Sequence, residues 1–71
     1  MDILKLQYPP GTIIKCMETD DRLRIIYYSK NQMYLENILE DGEYGRYWDY
    51  FTFLGTKYIK DKTAQILYGQ K

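Results

Sequence analysis

Seventy-one residues read as one domain, 1–71, of a size that buries only about 60% of the surface its unfolded chain exposes, so a deep catalytic pocket is not expected. Ten basic residues balance ten acidic ones for a formal net charge of zero, which removes the broad electrostatic argument for nucleic acid or an anionic membrane. The absence of histidine takes away the usual general base at neutral pH, the Ser-His and Cys-His pairs and most zinc sites.

Nine tyrosines, two phenylalanines and one tryptophan are the compensation for small size, since each such ring can bury roughly 150–250 Å². The single cysteine, Cys16, allows no internal disulfide and points to a reducing compartment. Met1-Asp2-Ile3-Leu4-Lys5 does not read as a secretory signal, and no apolar run is long enough to span a bilayer, so a cytoplasmic protein is expected.

Residues 1–8 carry Ile3, Leu4, Leu6 and Tyr8 before Pro9-Pro10-Gly11 ends the segment, which reads as an edge strand or as an arm laid over a sheet. Thr12 to Glu18 is rich in β-branched residues and forms the first strand, closed by the turn Thr19-Asp20-Asp21. Arg22 to Ser29 alternates clearly and forms the second. A three-residue loop, Lys30-Asn31-Gln32, then sets a hairpin with Ser29 facing Met33, Tyr27 facing Leu35 and Leu23 facing Leu39. A two-residue loop shifts the pairing by one residue and mixes the faces, which argues against it. The three-residue register puts Leu23, Ile25, Tyr27, Met33, Leu35 and Leu39 on one face, and Arg22, Arg24, Ile26, Tyr28, Tyr34, Glu36 and Ile38 on the other. Asn37 is the misfit, pointing inward or marking a bulge. A short helix with Asn31 as N-cap is the rival over 32–40.

Glu40-Asp41-Gly42-Glu43 is the strongest turn signal, and it leads into Tyr44 to Phe53, which holds half the aromatic residues. That stretch reads as one long strand, the central one of the sheet, with Gly45 marking a bulge or a close approach. After Gly55, Thr56 to Lys60 reads as a strand, Asp61-Lys62 as a turn and Thr63 to Tyr68 as a last strand, with a helical tail as the alternative over 56–68.

Five or six short strands at spacings of about ten residues describe an all-β fold, a small antiparallel barrel or roll, with room for one short helix. The pattern resembles SH3-like small barrels, and in length and composition the chain resembles small proteins encoded by phages or prophages of Gram-positive bacteria. The resemblance rests on strand spacing and composition and implies no site residues.

No phosphate-binding glycine loop appears, because the five glycines fall singly at turns and strand ends. The carboxylates of Glu40 to Glu43 and of Asp20-Asp21 lack calcium-loop spacing, so neither metal nor cofactor is expected. Cys16 reads as a small core residue, since Lys15 points away from it in a strand.

In the aromatic strand Tyr47, Asp49, Phe51 and Phe53 share one face, and Trp48, Tyr50, Thr52 and Leu54 the other. Phe51 and Phe53 are assigned to the core with Ile14, Leu23, Ile25, Tyr27, Leu35 and Leu39, and Asp49 to a rim or to a pairing with arginine. Trp48 and Tyr50 then lie outside. One reading covers them with the arm or the tail. The other leaves them exposed beside Tyr28, Tyr34 or Tyr44 and edged by Arg22, Arg24 and Arg46, a binding surface for a protein partner or a second copy. Single-stranded nucleic acid is the second choice for the same surface, and an enzyme, limited to carboxylates, tyrosines and one thiol, is not expected.

Overall fold

The computed structural model describes residues 3–38 and 45–69. Its strands are β1 (Ile13–Cys16), β2 (Arg22–Ser29), β3 (Gln32–Asn37), β4 (Arg46–Tyr50) and β5 (Tyr58–Lys60), accompanied by the short helices α1 (Ile3–Gln7) and α2 (Lys62–Tyr68). All strands pair antiparallel in one sheet ordered β4-β3-β2-β1-β5, so the all-β class holds. The aromatic strand β4 is an edge and not the centre; β2 is central.

Residues 3–7 are helical where a strand or arm was expected. Leu4 and Tyr8, one helical turn apart, pack together on the core, and the Tyr8 N–H closes the turn on the Leu4 carbonyl at 2.9 Å. Pro9 then ends the helix. The helix is fastened to the sheet by the Tyr28 hydroxyl, which donates to the Tyr8 carbonyl, and by Lys5, whose ammonium lies 4.9 Å from the Phe51 ring centre.

The β2–β3 hairpin departs from the expected register. Its loop is two residues, Lys30-Asn31, with Ser29 opposite Gln32, and Lys30 takes the left-handed conformation at φ 55°. The mixing of faces that argued against this loop is corrected by a bulge at Ile26. Ile25 pairs with Leu35 on one side of it and Tyr27 with Tyr34 on the other. Leu23, Ile25, Met33 and Leu35 are therefore buried together, while Tyr27 turns outward and Tyr28 turns in toward the core. Asn37 does point inward, opposite Leu23, and no buried side-chain polar atom among the described residues lacks a partner. Residues 32–37 are strand, not helix. The expected Leu39 core position and the Glu40 to Glu43 turn lie outside the described residues.

β4 stops at Tyr50, and Phe51–Phe53 form one 3₁₀ turn. The side-chain period changes there from two to three, so Phe51 and Leu54 point inward (8% and 4% exposed) while Phe53 is 38% exposed. Phe53, like Tyr27, is thus corrected from core to surface, and Leu54 from surface to core. Gly55 at φ 89° reverses the chain, and a bridge between Leu54 and Tyr58 leads into β5.

The tail is α2, not a strand. Asp61 is its N-cap, accepting from the Ala64 N–H at 2.9 Å, and Arg22 donates to the same carboxylate at 3.0 Å. The helix covers the outer side of β1 through buried Ala64 and through Gln65, which accepts from the Ile13 N–H at 2.6 Å. Ile13 is buried by α2 and Ile14 by the core, so both faces of β1 are covered. Ile66 and Leu67 face solvent.

Phe51→Ala is expected to destabilise the fold by about 3–5 kcal/mol, whereas Phe53→Ala should cost about 1 kcal/mol. Denaturant unfolding of the two variants checks this, and equal losses would contradict the change of period at Phe51.

Candidate functional site

The outer face of β2, β3 and β4 is built in rows by the strand register. Tyr27, Tyr34 and Trp48 stand in one row, because Tyr27 pairs with Tyr34 and Tyr34 with Trp48. Their rings touch mutually. Tyr34 lies 5.0 Å from Trp48 and 5.4 Å from Tyr27, and Trp48 meets Tyr27 edge-on at 5.5 Å and 86°. Edge and tilted geometries of this kind align the positive ring edge with a neighbour's negative face. The cluster remains open to solvent, with Tyr27 46% and Trp48 41% exposed.

The neighbouring row is ionic. Glu36 lies between Arg24 and Arg46 in the register and takes both, at 3.2 and 3.4 Å. Arg24 also donates to the Tyr68 carbonyl at 2.7 Å, tying the end of α2 to this face. On the other side of the rings Tyr50 pairs with Gln32 and meets Phe53 edge-on at 6.1 Å.

Of the residues expected at the site, Trp48 and Tyr34 come together, with Arg24 and Arg46 in the adjoining row and Tyr50 one row beyond. Tyr28 is not part of it: the Ile26 bulge sends its ring inward, 6.1 Å from Phe51. Arg22 lies at the far end of β2, held by Asp61 and lining a shallow groove of about 260 Å³ with Thr63, Ala64, Leu67 and Tyr68. Tyr44 lies outside the described residues. Sequence reasoning missed Tyr27 and Glu36. The adjacent pair Tyr27-Tyr28 was a signal for Tyr27, since neighbours in a strand face opposite sides and one of the two must be outside.

The inner side of β4 carries a separate polar cluster. Asp49, opposite Met33 and largely buried, accepts from the Tyr58 hydroxyl, from Lys57 at 3.3 Å and from the Tyr50 N–H at 2.8 Å. Its cationic partner is therefore a lysine, not the arginine expected. The Tyr47 and Tyr58 hydroxyls lie 3.5 Å apart. Burial, then the Asp49 carboxylate, push the Tyr58 phenol far above its usual range. Burial also raises Tyr47, against the lowering effect of the Tyr58 hydrogen bond. Burial opposes the charge of Lys57, but the Asp49 carboxylate outweighs it and holds the ammonium above its ordinary value. Asp61 is lowered, first by the Ala64 N–H and then, against desolvation, by Arg22.

Cys16 is buried and pairs with Tyr58 across β1 and β5. Among the described residues no group of three or more carboxylates and thiols is placed to hold a metal ion, and no helix is long and apolar enough to cross a membrane. Asp20 is engaged by Lys15 at 3.4 Å, and Asp21 by the Thr19 hydroxyl. No family model, curated protein or solved structure matches the chain.

The raised phenol has a consequence for stability. The folded protein retains the Tyr58 proton above pH 10.0, the ordinary value at which the unfolded chain releases it. The stabilisation is thus complete below about pH 10 and declines as pH rises further, and Lys57 acts in the same direction. Denaturant unfolding between about pH 9 and 11 should show this loss, with the Tyr58 phenolate absorbance appearing only on unfolding; undiminished stability across that range would contradict it.

Proposed function

We propose that this chain is a non-enzymatic interaction domain that binds protein through the outer face of β2–β4, with Trp48, Tyr34 and Tyr27 at its centre. The observation that carries the proposal is the cluster of three mutually touching rings, two of them, Tyr27 and Trp48, left nearly half exposed beside an arginine-bearing row. Tryptophan, tyrosine and arginine are the residues whose truncation costs most at protein interfaces, because they combine large apolar area with a directional polar group. Rings already packed on one another also lose little side-chain freedom on binding.

Single-stranded nucleic acid has weaker support. The cations beside the rings, Arg24 and Arg46, are both engaged by Glu36 within the chain, which leaves little to neutralise phosphate. The setting belongs to the same proposal: a small SH3-like, phage-type domain, working in a reducing cytoplasm.

Trp48 is the only tryptophan, so its fluorescence reports directly on this face. In dilute protein it should be readily quenched by acrylamide and become protected on association. Trp48→Ala should cost the fold about 1–2 kcal/mol yet reduce association by about thirtyfold or more. A Trp48 shielded at every dilution, or a variant that unfolds outright, would assign the ring to the structure instead of to a partner.

A further inference from the structure

The rings of the outer face border a second feature, the edge of β4 that no strand among the described residues pairs with. Its backbone polarity follows from hydrogen bonds at the hairpin ends. The Phe51 N–H donates to the Asn31 carbonyl at 3.4 Å, so Phe51, Asp49 and Tyr47, at alternate positions, aim their backbone groups at β3. The far side of β3 gives the same parity. The Ile38 N–H donates to the Arg22 carbonyl at 3.0 Å, which turns Glu36 toward β2 and leaves Leu35 facing β4 opposite Tyr47. Arg46, Trp48 and Tyr50 therefore present their N–H and carbonyl groups to the outer edge. The Tyr50 N–H is taken by its own Asp49 carboxylate, and the Trp48 pair stands at the middle of the strand.

The other edge of the sheet is protected. β5 is only three residues long, is flanked by Lys57 and ends at Lys60, and carries the Leu54 bridge to Tyr58. Short length and lysines are the usual means of keeping an edge from pairing. Arg46-Tyr47-Trp48-Asp49-Tyr50 contains neither lysine nor proline.

Resting on the reading of this face as a protein surface, we propose that its occupant is a second copy of the chain. The second copy adds its β4 antiparallel to this edge, with the two-fold axis at Trp48, and the two sheets become one. The sequence of β4 is self-complementary in that register. Trp48 meets the partner's Trp48 as a hydrogen-bonded pair, joining the two three-ring clusters. Arg46 lies opposite the partner's Tyr50, a cation beside a ring, and Tyr47 opposite the partner's Asp49, a phenol beside a carboxylate. Centring the axis on Arg46 sets like charges against each other. Centring it on Asp49 does the same, and centring it on Tyr47 sets Trp48 against the partner's Arg46, so that the two tryptophans no longer face each other. Such a contact is isologous, so it closes at two copies, and a net charge of zero places no general repulsion between them.

Residue-resolved amide exchange of the wild-type protein at low and high concentration tests this without a substitution. The Trp48 amide is expected to exchange fast in dilute protein and to slow by at least about tenfold when concentrated, while Tyr47 and Asp49 stay protected throughout. Sedimentation over the same range should show monomer passing to dimer. Trp48→Pro, which removes an N–H that β3 does not use, should keep the fold and remain monomeric; if it fails to fold, the wild-type exchange data decide alone. A monomer at all concentrations with a fast Trp48 amide overturns the second copy and leaves the protein-surface reading to a different partner. A dimer in which the Trp48 amide stays fast and its ring stays quenchable overturns both.

Discussion

The structure depends on one carboxylate. Asp49 sits on the inner side of an edge strand with little access to water, where an ionised group must find donors or be expelled. It finds three: the Tyr58 phenol and Lys57 from the opposite end of the sheet, and the N–H of Tyr50 beside it. β4 and β5 are not neighbours in the ladder, yet through these side chains the two ends of the sheet are drawn toward each other over the core. The Leu54–Tyr58 bridge fixes the turn that brings Lys57 and Tyr58 to this carboxylate. A chain of this length cannot cover both faces of an open sheet, and the Asp49 cluster with α1 covers the inner one.

With the inner face closed, the outer face divides. α2 covers β1, and Arg24, bonded to the Tyr68 carbonyl, marks where the helix ends. Beyond that line nothing among the described residues covers the rings of Tyr27, Tyr34 and Trp48. They satisfy one another by edge and tilted contacts but retain much of their exposure. Their position follows from a single extra residue. Without the bulge at Ile26, Tyr27 would enter the core and Tyr28 would join the surface. The proposed binding face and the attachment of α1, which hangs on the Tyr28 hydroxyl, thus share one local irregularity.

Aromatic burial is the expected remedy for small size, yet here the fully buried core is chiefly aliphatic: Ile14, Leu23, Ile25, Met33 and Leu35, with Tyr58 and Phe51 as the large rings. Most of the tyrosines lie at the periphery, where a ring can pack with its body and keep its hydroxyl hydrated. That distribution is what makes the outer face a candidate for a partner and not a leftover of packing.

What the sequence determined by itself was the local order: β-branched runs at β1 and β2, turn chemistry between them, the 32–37 strand, the inward Asn37, and the outward parity of Trp48 and Tyr50. Alternation within a strand is a property of neighbouring residues, so these could be read without knowing the fold. Three things were decided only by tertiary structure. β4 became an edge and not the centre, because strand order depends on which chain segments pair, and no residue of β4 encodes its absent neighbour. Tyr27, Tyr28, Phe53 and Leu54 changed faces, because a bulge and a 3₁₀ turn reset the period, and each is stabilised by contacts elsewhere: Tyr28 by Tyr8, and Leu54 by Tyr58. The two ends became helices, because Leu4 with Tyr8 and Asp61 with Arg22 find their partners only once the sheet exists. Periodicity is local and legible; pairing, which joins residues far apart in the chain, is not.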